Sequence, residues 1–174
     1  MHDARTGNLL GAAALTVTDL VLAGATGAAG VSASGAAALV VLAASPGLSG
    51  TELGRRVGLS QSAAARMVDA LEGRGLVERR PGQGREVSIR PTRAGRRAAG
   101  ELLAARGTRL AGALAVLDDA ERAALTGLLE KLLTGLYGEV GDAQLVCRLC
   151  DRGSCTEGAV CPVGQAERDR EGRT

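Results

Sequence analysis

The chain has 174 residues, a length that suits one domain with an added segment. Hydrophobic residues make up 45% of it, but aromatic residues only 1%, and Tyr137 is the one aromatic side chain. A core of Leu, Val and Ala favours helices, so we expect a mainly α-helical protein. The first residues do not have the pattern of a secretory signal, which favours a cytoplasmic protein.

The net charge of +2 hides an uneven distribution along the chain. Residues 47 to 110 hold thirteen arginines and six acids, a surplus of seven positive charges, and the remainder has a surplus of five negative charges. A basic segment between acidic flanks is an electrostatic footprint for nucleic acid, with a solvated basic face as the alternative.

Two helices are predicted near the N-terminus. The first covers residues 8 to 29, and the second begins after Ser32 or Ser34 and ends before Pro46. Residues 20 to 44 contain no charged side chain, a feature that a membrane span would share. Because several glycines interrupt this stretch, we favour a buried pair of helices and expect no membrane partner.

The basic segment begins with a predicted helix-turn-helix. Ser49 is expected to cap its first helix, and Glu52 completes the pattern of a capping box. Gly58 ends this helix, and Ser60 caps a second helix with an apolar stripe at helical spacing. A short helix, a tight glycine turn and a second helix are typical of the helix-turn-helix.

A β-hairpin is predicted directly after the second helix. Residues 76 to 80 form its first strand, a turn rich in Pro and Gly follows, and alternating apolar residues from Val87 to Ile89 form its second strand. A hairpin in this position is the wing of a winged helix.

Two further helices are expected after the wing. One long helix covers residues 92 to 117, and a capping box of Asp118 and Glu121 begins another that ends near Tyr137. The last helix carries more leucines than a small domain can bury, so we expect it to pack against a partner chain as well.

Two stretches, "LSGTELGRRVGLSQSAAARMVDALEGRGLVERR" and "GREVSIRPTRAGRR", resemble the helix-turn-helix and the wing of MarR-type transcriptional regulators. The resemblance covers residues 8 to 138. It implies a winged helix-turn-helix that dimerises through its N- and C-terminal helices. It also implies a repressor that binds a pseudo-palindromic operator as a homodimer, and a small-molecule effector of unidentified chemistry.

Sequence-specific binding needs side chains that reach base edges, while phosphate contacts position the protein. The start of the second helix offers hydroxyl, amide and guanidinium groups, and further arginines flank the wing. The alternatives are that Ser60 acts only as a helix cap and that the wing arginines are only solvated. The candidates for DNA contact are Ser60, Gln61, Ser62, Arg66, Arg79, Arg80 and Arg85.

All four cysteines lie in the segment of residues 139 to 174, which we treat as a separate Cys-rich tail. We call them the cysteine cluster: Cys147, Cys150, Cys155 and Cys161. Four thiolates suit a tetrahedral site, so zinc is the first expectation. Redox-active thiols without a metal are the second, and an iron–sulfur cluster is the third. We expect the cluster to lie with the dimerisation helices, away from the DNA.

An enzyme is not expected. The single histidine, His2, lies at the chain end, so a Ser–His or Cys–His pair has no basis in the sequence. A thiol oxidoreductase using Cys147 and Cys150 is one alternative, but the βαβ context of such motifs is missing. A membrane-associated regulator is the other alternative and rests on residues 20 to 44 alone.

Overall fold

The computed structural model describes residues 2–82 and 87–172 of the chain. Within these ranges it has nine helices and three strands. In chain order they are α1 (His2–Ala29), α2 (Ala33–Ala44), β1 (Leu48–Ser49), α3 (Gly50–Val57), α4 (Gln61–Gly73), β2 (Val77–Pro81), β3 (Val87–Pro91), α5 (Arg93–Leu114), α6 (Asp119–Val140), α7 (Ala143–Val146), α8 (Arg152–Thr156) and α9 (Pro162–Glu171). The predicted class, mainly α with a small β wing, is confirmed.

Helix α2 lies at the centre of the core. Ser32 caps it by accepting a hydrogen bond from the amide of Gly35, and every residue from 35 to 42 is buried. Leu53 of α3, Val68 of α4 and Leu102 of α5 belong to the same hydrophobic cluster. The winged helix is therefore built around a helix with no polar face, which agrees with its uncharged sequence.

Helix α1 differs from the expectation of a buried helix pair. It packs along α5, but Leu9, Leu10 and Leu15 are 57%, 48% and 72% exposed. These leucines lie before the uncharged stretch of residues 20 to 44. Within that stretch the expected burial is confirmed for α2 and holds in part for the end of α1, where Val21 is buried and Leu20 and Leu22 are half-buried. Among the described residues, Asp3–Gly24 is the one stretch whose length and composition would suffice to cross a membrane.

The predicted caps set the limits of α3 and α4. Ser49 accepts from the amide of Glu52 at 3.2 Å, Gly58 ends α3 with a φ of +73°, and Ser60 accepts from the amide of Ala63 at 3.4 Å. The capping box expected at Ser49 is only half formed. The Glu52 carboxylate accepts hydrogen bonds from neighbouring arginines, so it does not turn back to the cap.

The wing is the hairpin of β2 and β3, with register from Val77 opposite Pro91 to Pro81 opposite Val87. Strand β1 adds a third, antiparallel strand beside β3, giving the order β1-β3-β2. The sequence did not predict β1, because two residues carry no periodic signal. Residues 83–86, at the tip of the wing, lie outside the described residues.

Helix α5 approaches the turn before the wing closely. Thr92 caps the helix, and its hydroxyl also donates to the carbonyl of Gly75 at 2.7 Å. A Cβ atom at Gly95 would lie 2.0 Å from the carbonyl oxygen of Leu76. Because Gly95 has no side chain, α5 can pack on the end of the helix-turn-helix, and this packing positions the wing.

Helix α6 begins at the predicted capping box, in which Asp118 and Glu121 exchange hydrogen bonds of 2.9 and 3.0 Å. It continues to Val140, three residues past Tyr137, and it packs on α7 and α9. The long helix before it ends at Leu114, earlier than expected. The division into domains at residue 138 stays a prediction.

We predict that Gly95→Ala lowers the free energy of unfolding by about 1–3 kcal/mol, because the added methyl group would overlap the Leu76 carbonyl. The matched control is Gly100→Ala in the same helix, where an added Cβ has nothing within 4 Å. That control should raise stability by about 0.5–1 kcal/mol. Urea unfolding monitored by circular dichroism measures both, and equal effects of the two substitutions would contradict the close approach.

Candidate DNA-binding surface and cysteine cluster

The start of α4 presents polar side chains to solvent. Gln61, Ser62 and Arg66 are exposed, while Met67 and Val68 face the core. Ser62 and Arg66 are one turn apart and share a face. Arg66 makes no ion pair with any described residue, so its guanidinium keeps all its donors for a ligand.

Ser60 has a structural role at this end of the helix. Besides capping α4, its Oγ lies 3.4 Å from Oγ of Ser62. A cap residue loses its hydrogen bond to the helix when it rotates toward another partner. The geometry therefore favours the capping role for Ser60, while Ser62 is exposed and is not the N-cap residue.

Arg79 is engaged by α4. Its guanidinium pairs with Asp69 at 2.6 Å and also with Glu72, and its backbone amide donates to Glu72 at 3.2 Å. The hydrogen bond to Asp69, with that to Glu72, raises the pKa of Arg79. This arginine braces the base of the wing against α4, and its charge is already balanced by acids of the protein.

Arg80 and Arg85 complete the set of candidates. Arg80 is exposed and pairs with Glu78 at 2.9 Å, a weak surface pair that a phosphate can displace. Arg85 lies outside the described residues, as does the rest of the wing tip. The candidate reading surface in the described residues therefore consists of the start of α4, with Arg80 on the wing.

The arginines of α3 hold the Cys-rich tail. Glu52 accepts hydrogen bonds from Arg55 at 2.8 Å and Arg56 at 2.7 Å, and these hold the pKa of Glu52 at about 2. Arg55 also pairs with Asp142, and Arg56 donates to Gln144 at 3.5 Å. The structure thus directs both guanidinium groups toward the tail.

The tail packs against the helix-turn-helix at α7. Asp142 caps α7. Leu145 of α7 lies close to Gly58, the C-cap residue of α3, since a Cβ atom added at Gly58 would be 3.0 Å from Cδ1 of Leu145. Leu149 packs on the main core. Apolar and charged residues between α6 and the cysteine cluster therefore bind α3, a contact that was not expected. The position of the cluster away from the DNA stays a prediction.

The other side of the tail packs against α6. Tyr137, Ala143 and Val163 form a second small hydrophobic cluster, with Cys147 and Cys161 packed on it. Arg170 of α9 lies 5.0 Å above the Tyr137 ring and donates to the carbonyl of Gly141 at 2.9 Å. The tail thus contacts both α3 and α6. A folded tail with helix α9 was not predicted, because its stabilising contacts are distant in sequence.

The four thiols converge in space. The side chain of Cys161 interacts with those of Cys147 and Cys155, and Cys155 also interacts with Cys150. All four line one cavity of about 190 Å³. No group of three or more His, Cys, Asp or Glu in the described residues is already placed to hold a metal ion, so binding one requires the cysteine side chains to rearrange.

Burial raises the pKa of the Cys147 and Cys155 thiols to about 11, and the neighbouring cysteines add to this effect. Burial followed by the proximity of Cys147 also raises the pKa of Cys150. Thiols with a raised pKa are protonated at neutral pH and are poor nucleophiles. The geometry therefore does not support catalysis by the Cys147 and Cys150 pair.

A second, larger cavity of about 500 Å³ lies between the N-terminal helices and the tail. Val21 and Leu22 of α1, Ala37 of α2 and Leu110 of α5 line it, together with the cysteine cluster. Its position between α1, α5 and the tail puts it next to both the long helices and the helix-turn-helix.

The order of elements and the exposed polar face of α4 define a winged-helix DNA-binding regulator. A model of the MarR family matches residues 29–86. The MarR family protein Rv2887 of Mycobacterium tuberculosis is 30% identical, with 75% of this chain and 95% of that protein covered and a TM-score of 0.61. The chain belongs to the MarR family.

Further solved structures agree with this fold. Rv2887 in complex with DNA is 28% identical over 72% of this chain and 95% of that one, with a TM-score of 0.60. Rv2887 has also been solved with salicylic acid, at 30% identity, a TM-score of 0.57 and coverage of 72% and 94%. YusO of Bacillus subtilis shares the fold with a TM-score of 0.64, 24% identity and coverage of 74% and 92%. No protein of curated function matches the chain.

We predict that the ion pairs of Glu52 stabilise the fold only while its carboxylate is charged. Because its folded pKa of about 2 is below the ordinary glutamate value of 4.5, the stabilisation is complete above pH 4.5 and is lost as the pH falls toward about 2. Glu52→Gln should cost less than about 1 kcal/mol at pH 7, since the pairs are partly screened. Unfolding of both proteins between pH 7 and 2 measures this difference, and a difference that does not change with pH would contradict it.

Proposed function

We infer that this MarR-family regulator is a cytoplasmic homodimer that represses transcription by binding a pseudo-palindromic operator. The observation that carries this proposal is the exposed start of α4, followed by a wing, within the segment that holds the surplus of arginines. A repressor needs only to occupy its operator, because a bound dimer obstructs transcription by its presence. Rv2887, which is similar to this chain, has been solved with DNA.

Specific reading is assigned to few side chains. The major groove of B-DNA admits an α-helix, in which Gln pairs with adenine and Arg with guanine through two hydrogen bonds each. Gln61 and Arg66 on the exposed start of α4 have this chemistry, and Ser62 accompanies them. Arg80 provides a phosphate contact from the wing, whereas Arg79 holds the wing to α4.

The homodimer is proposed from the exposed apolar side chains on the long helices. These residues are distributed over both ends of the chain and are uncovered in the single chain. They include Leu9, Leu10 and Leu15 of α1, Leu114 of α5, and Leu128, Leu129, Leu132, Leu136 and Val140 of α6. A second copy of the chain covers such a set by self-complementary packing. The competing explanation for the exposed apolar side chains of α1 is association with a membrane, since this helix is long and apolar enough to cross one.

An effector site is proposed in the cavity of about 500 Å³ between α1, α2, α5 and the tail. Its volume suits a small organic molecule. Its apolar lining, with Arg106 and Arg148 also present, fits a ligand that combines an apolar body with an anionic group. Salicylic acid, which has this chemistry, is bound in a structure of Rv2887.

We predict salt-dependent DNA binding by a dimer. If the dimer neutralises about 6–10 phosphates, its affinity should fall roughly 10³- to 10⁵-fold between about 50 and 200 mM salt. The DNA is a fragment selected by the protein from a random-sequence library, and its half-sites should be about 34–36 Å apart. Analytical ultracentrifugation gives the oligomeric state. A monomer, recovery in the membrane fraction, or a flat salt profile each contradicts the proposal.

We predict that Arg66→Ala weakens binding to the selected fragment by about 1–3 kcal/mol, with a smaller loss on random DNA, because a bidentate base contact is removed. The control is Arg122→Ala on α6, which removes one positive charge outside the helix-turn-helix and wing. Titration of each variant with both DNAs separates the effects. Equal losses on selected and random DNA would show that Arg66 contacts phosphate and does not read a base.

A further inference from the structure

The cysteine cluster is assembled from four separate positions of the tail. Cys147 follows α7, Cys150 lies in the loop, Cys155 lies in α8 and Cys161 caps α9. These positions converge on one cavity, and the side chains form a continuous series of contacts. The Sγ atom of Cys161 also accepts a hydrogen bond of 3.4 Å from the amide of Gly164.

The tail has little else to hold it together. Its three helices have four, five and ten residues, and it contributes two of the three buried side chains in the small cluster that it shares with Tyr137 of α6. Segments with so small a core are commonly held by a structural metal. The four cysteines line the cavity together with one carboxylate residue, Glu167. Four thiolates select a thiolate-binding metal, and tetrahedral zinc suits a structural site of this kind.

We propose that the cysteine cluster binds one zinc ion, and that bound zinc fixes the tail against α3. Each thiol that becomes a ligand releases its proton, so binding Zn²⁺ to four thiols releases up to four protons and leaves a site with a net charge of −2. No electron is transferred. The zinc–thiolate bonds replace the contacts between protonated thiols.

The tail reaches α3 through three residues that precede the second cysteine. Asp142 caps α7 with one carboxylate oxygen and pairs with Arg55 through the other. Leu145 packs against Gly58 at the end of α3. The side-chain oxygen of Gln144 accepts a hydrogen bond from Arg56 of α3. The same oxygen accepts a hydrogen bond of 2.5 Å from Arg152, which lies between the second and third cysteines in the sequence.

These contacts connect the cysteine cluster to the DNA-binding surface. Helix α3 packs on α4, where Gly54 faces Ala64 so closely that a Cβ on Gly54 would lie 2.7 Å from the Ala64 methyl. A change in the position of α3 therefore moves α4. The regulatory part of this inference rests on the proposed function, since it concerns the same reading helix.

The metal is tested first, with full-length protein that is reduced, kept anaerobic, incubated with ZnCl₂ and dialysed. Elemental analysis should give one zinc per chain, and cobalt substitution should give intense thiolate-to-cobalt absorption bands. Cys150→Ser should weaken zinc binding by roughly tenfold or more, since even the loss of an outer-shell partner costs about 10–100-fold. Glu157→Gln, in the exposed loop between the last two cysteines, is the matched control and should bind zinc normally.

The coupling is tested by amide hydrogen exchange in α3, with and without zinc, which requires no DNA. Zinc should slow exchange over Gly50–Val57 by about tenfold, because local opening becomes less favourable. Leu145→Ala should keep one zinc per chain and lose this protection. Val160→Ala removes an apolar side chain that is 63% exposed in the same tail, and it should keep both properties.

DNA binding is the last readout and separates the two proposals. Zinc should raise affinity for the selected fragment in the wild type and in Val160→Ala, and not in Leu145→Ala. Iron in place of zinc, or protein without metal after zinc incubation, overturns the site. Bound zinc with unchanged exchange in α3 overturns the coupling. If zinc protects α3 but neither form binds DNA, the proposed function fails while the site and its contact with α3 stand.

Discussion

The packing of α2 is the constraint on which the other elements depend. This helix is buried from residue 35 to 42, and α1, α3, α4, α5 and β3 all contact it. Because its side chains are Ala, Val and Leu, the surrounding helices approach closely, and the core closes without any aromatic residue. Equally close packing occurs at two glycines, where Gly54 meets Ala64 and where Gly95 meets the Leu76 carbonyl. The orientation of the reading helix is thus fixed by backbone-to-backbone approach, which leaves little freedom for one helix to move alone.

The sequence predicted most element limits because local hydrogen bonds set them. Ser32, Ser49 and Ser60 cap their helices, and the Asp118 capping box begins α6 as expected. Strand β1 was missed because two residues of strand depend on a partner distant in sequence. The contact of the tail with α3 was missed for the same reason, since neither the composition of the tail nor its cysteine spacing indicates that Asp142 meets Arg55.

The roles of the arginines show where sequence reasoning about the site reaches its limit. A surplus of positive charge identified the basic segment, but charge alone does not say which guanidinium faces solvent. Arg79 is balanced by Asp69 and Glu72, ten and seven residues away, and the α3 arginines are balanced by Glu52 and the tail. Arg66 keeps its charge free of ion pairs with described residues. The local surplus therefore serves two purposes, internal bracing at some positions and ligand contact at others.

The contact of the tail with α3 has a thermodynamic consequence that works in both directions. If zinc in the cysteine cluster favours the arrangement of α3 and α4 that fits the operator, linkage requires the operator to favour zinc by the same factor. A coupling of tenfold corresponds to about 1.4 kcal/mol per chain. Few polar contacts and two leucines, Leu145 and Leu149, connect the tail to the winged helix, which agrees with a coupling of this size and not with an all-or-none switch. The tail also packs on α6 through Tyr137 and Val163. A change at the cysteine cluster therefore reaches the apolar surface of the long helices by this contact, and it reaches the reading helix by the contact of Leu145 with α3.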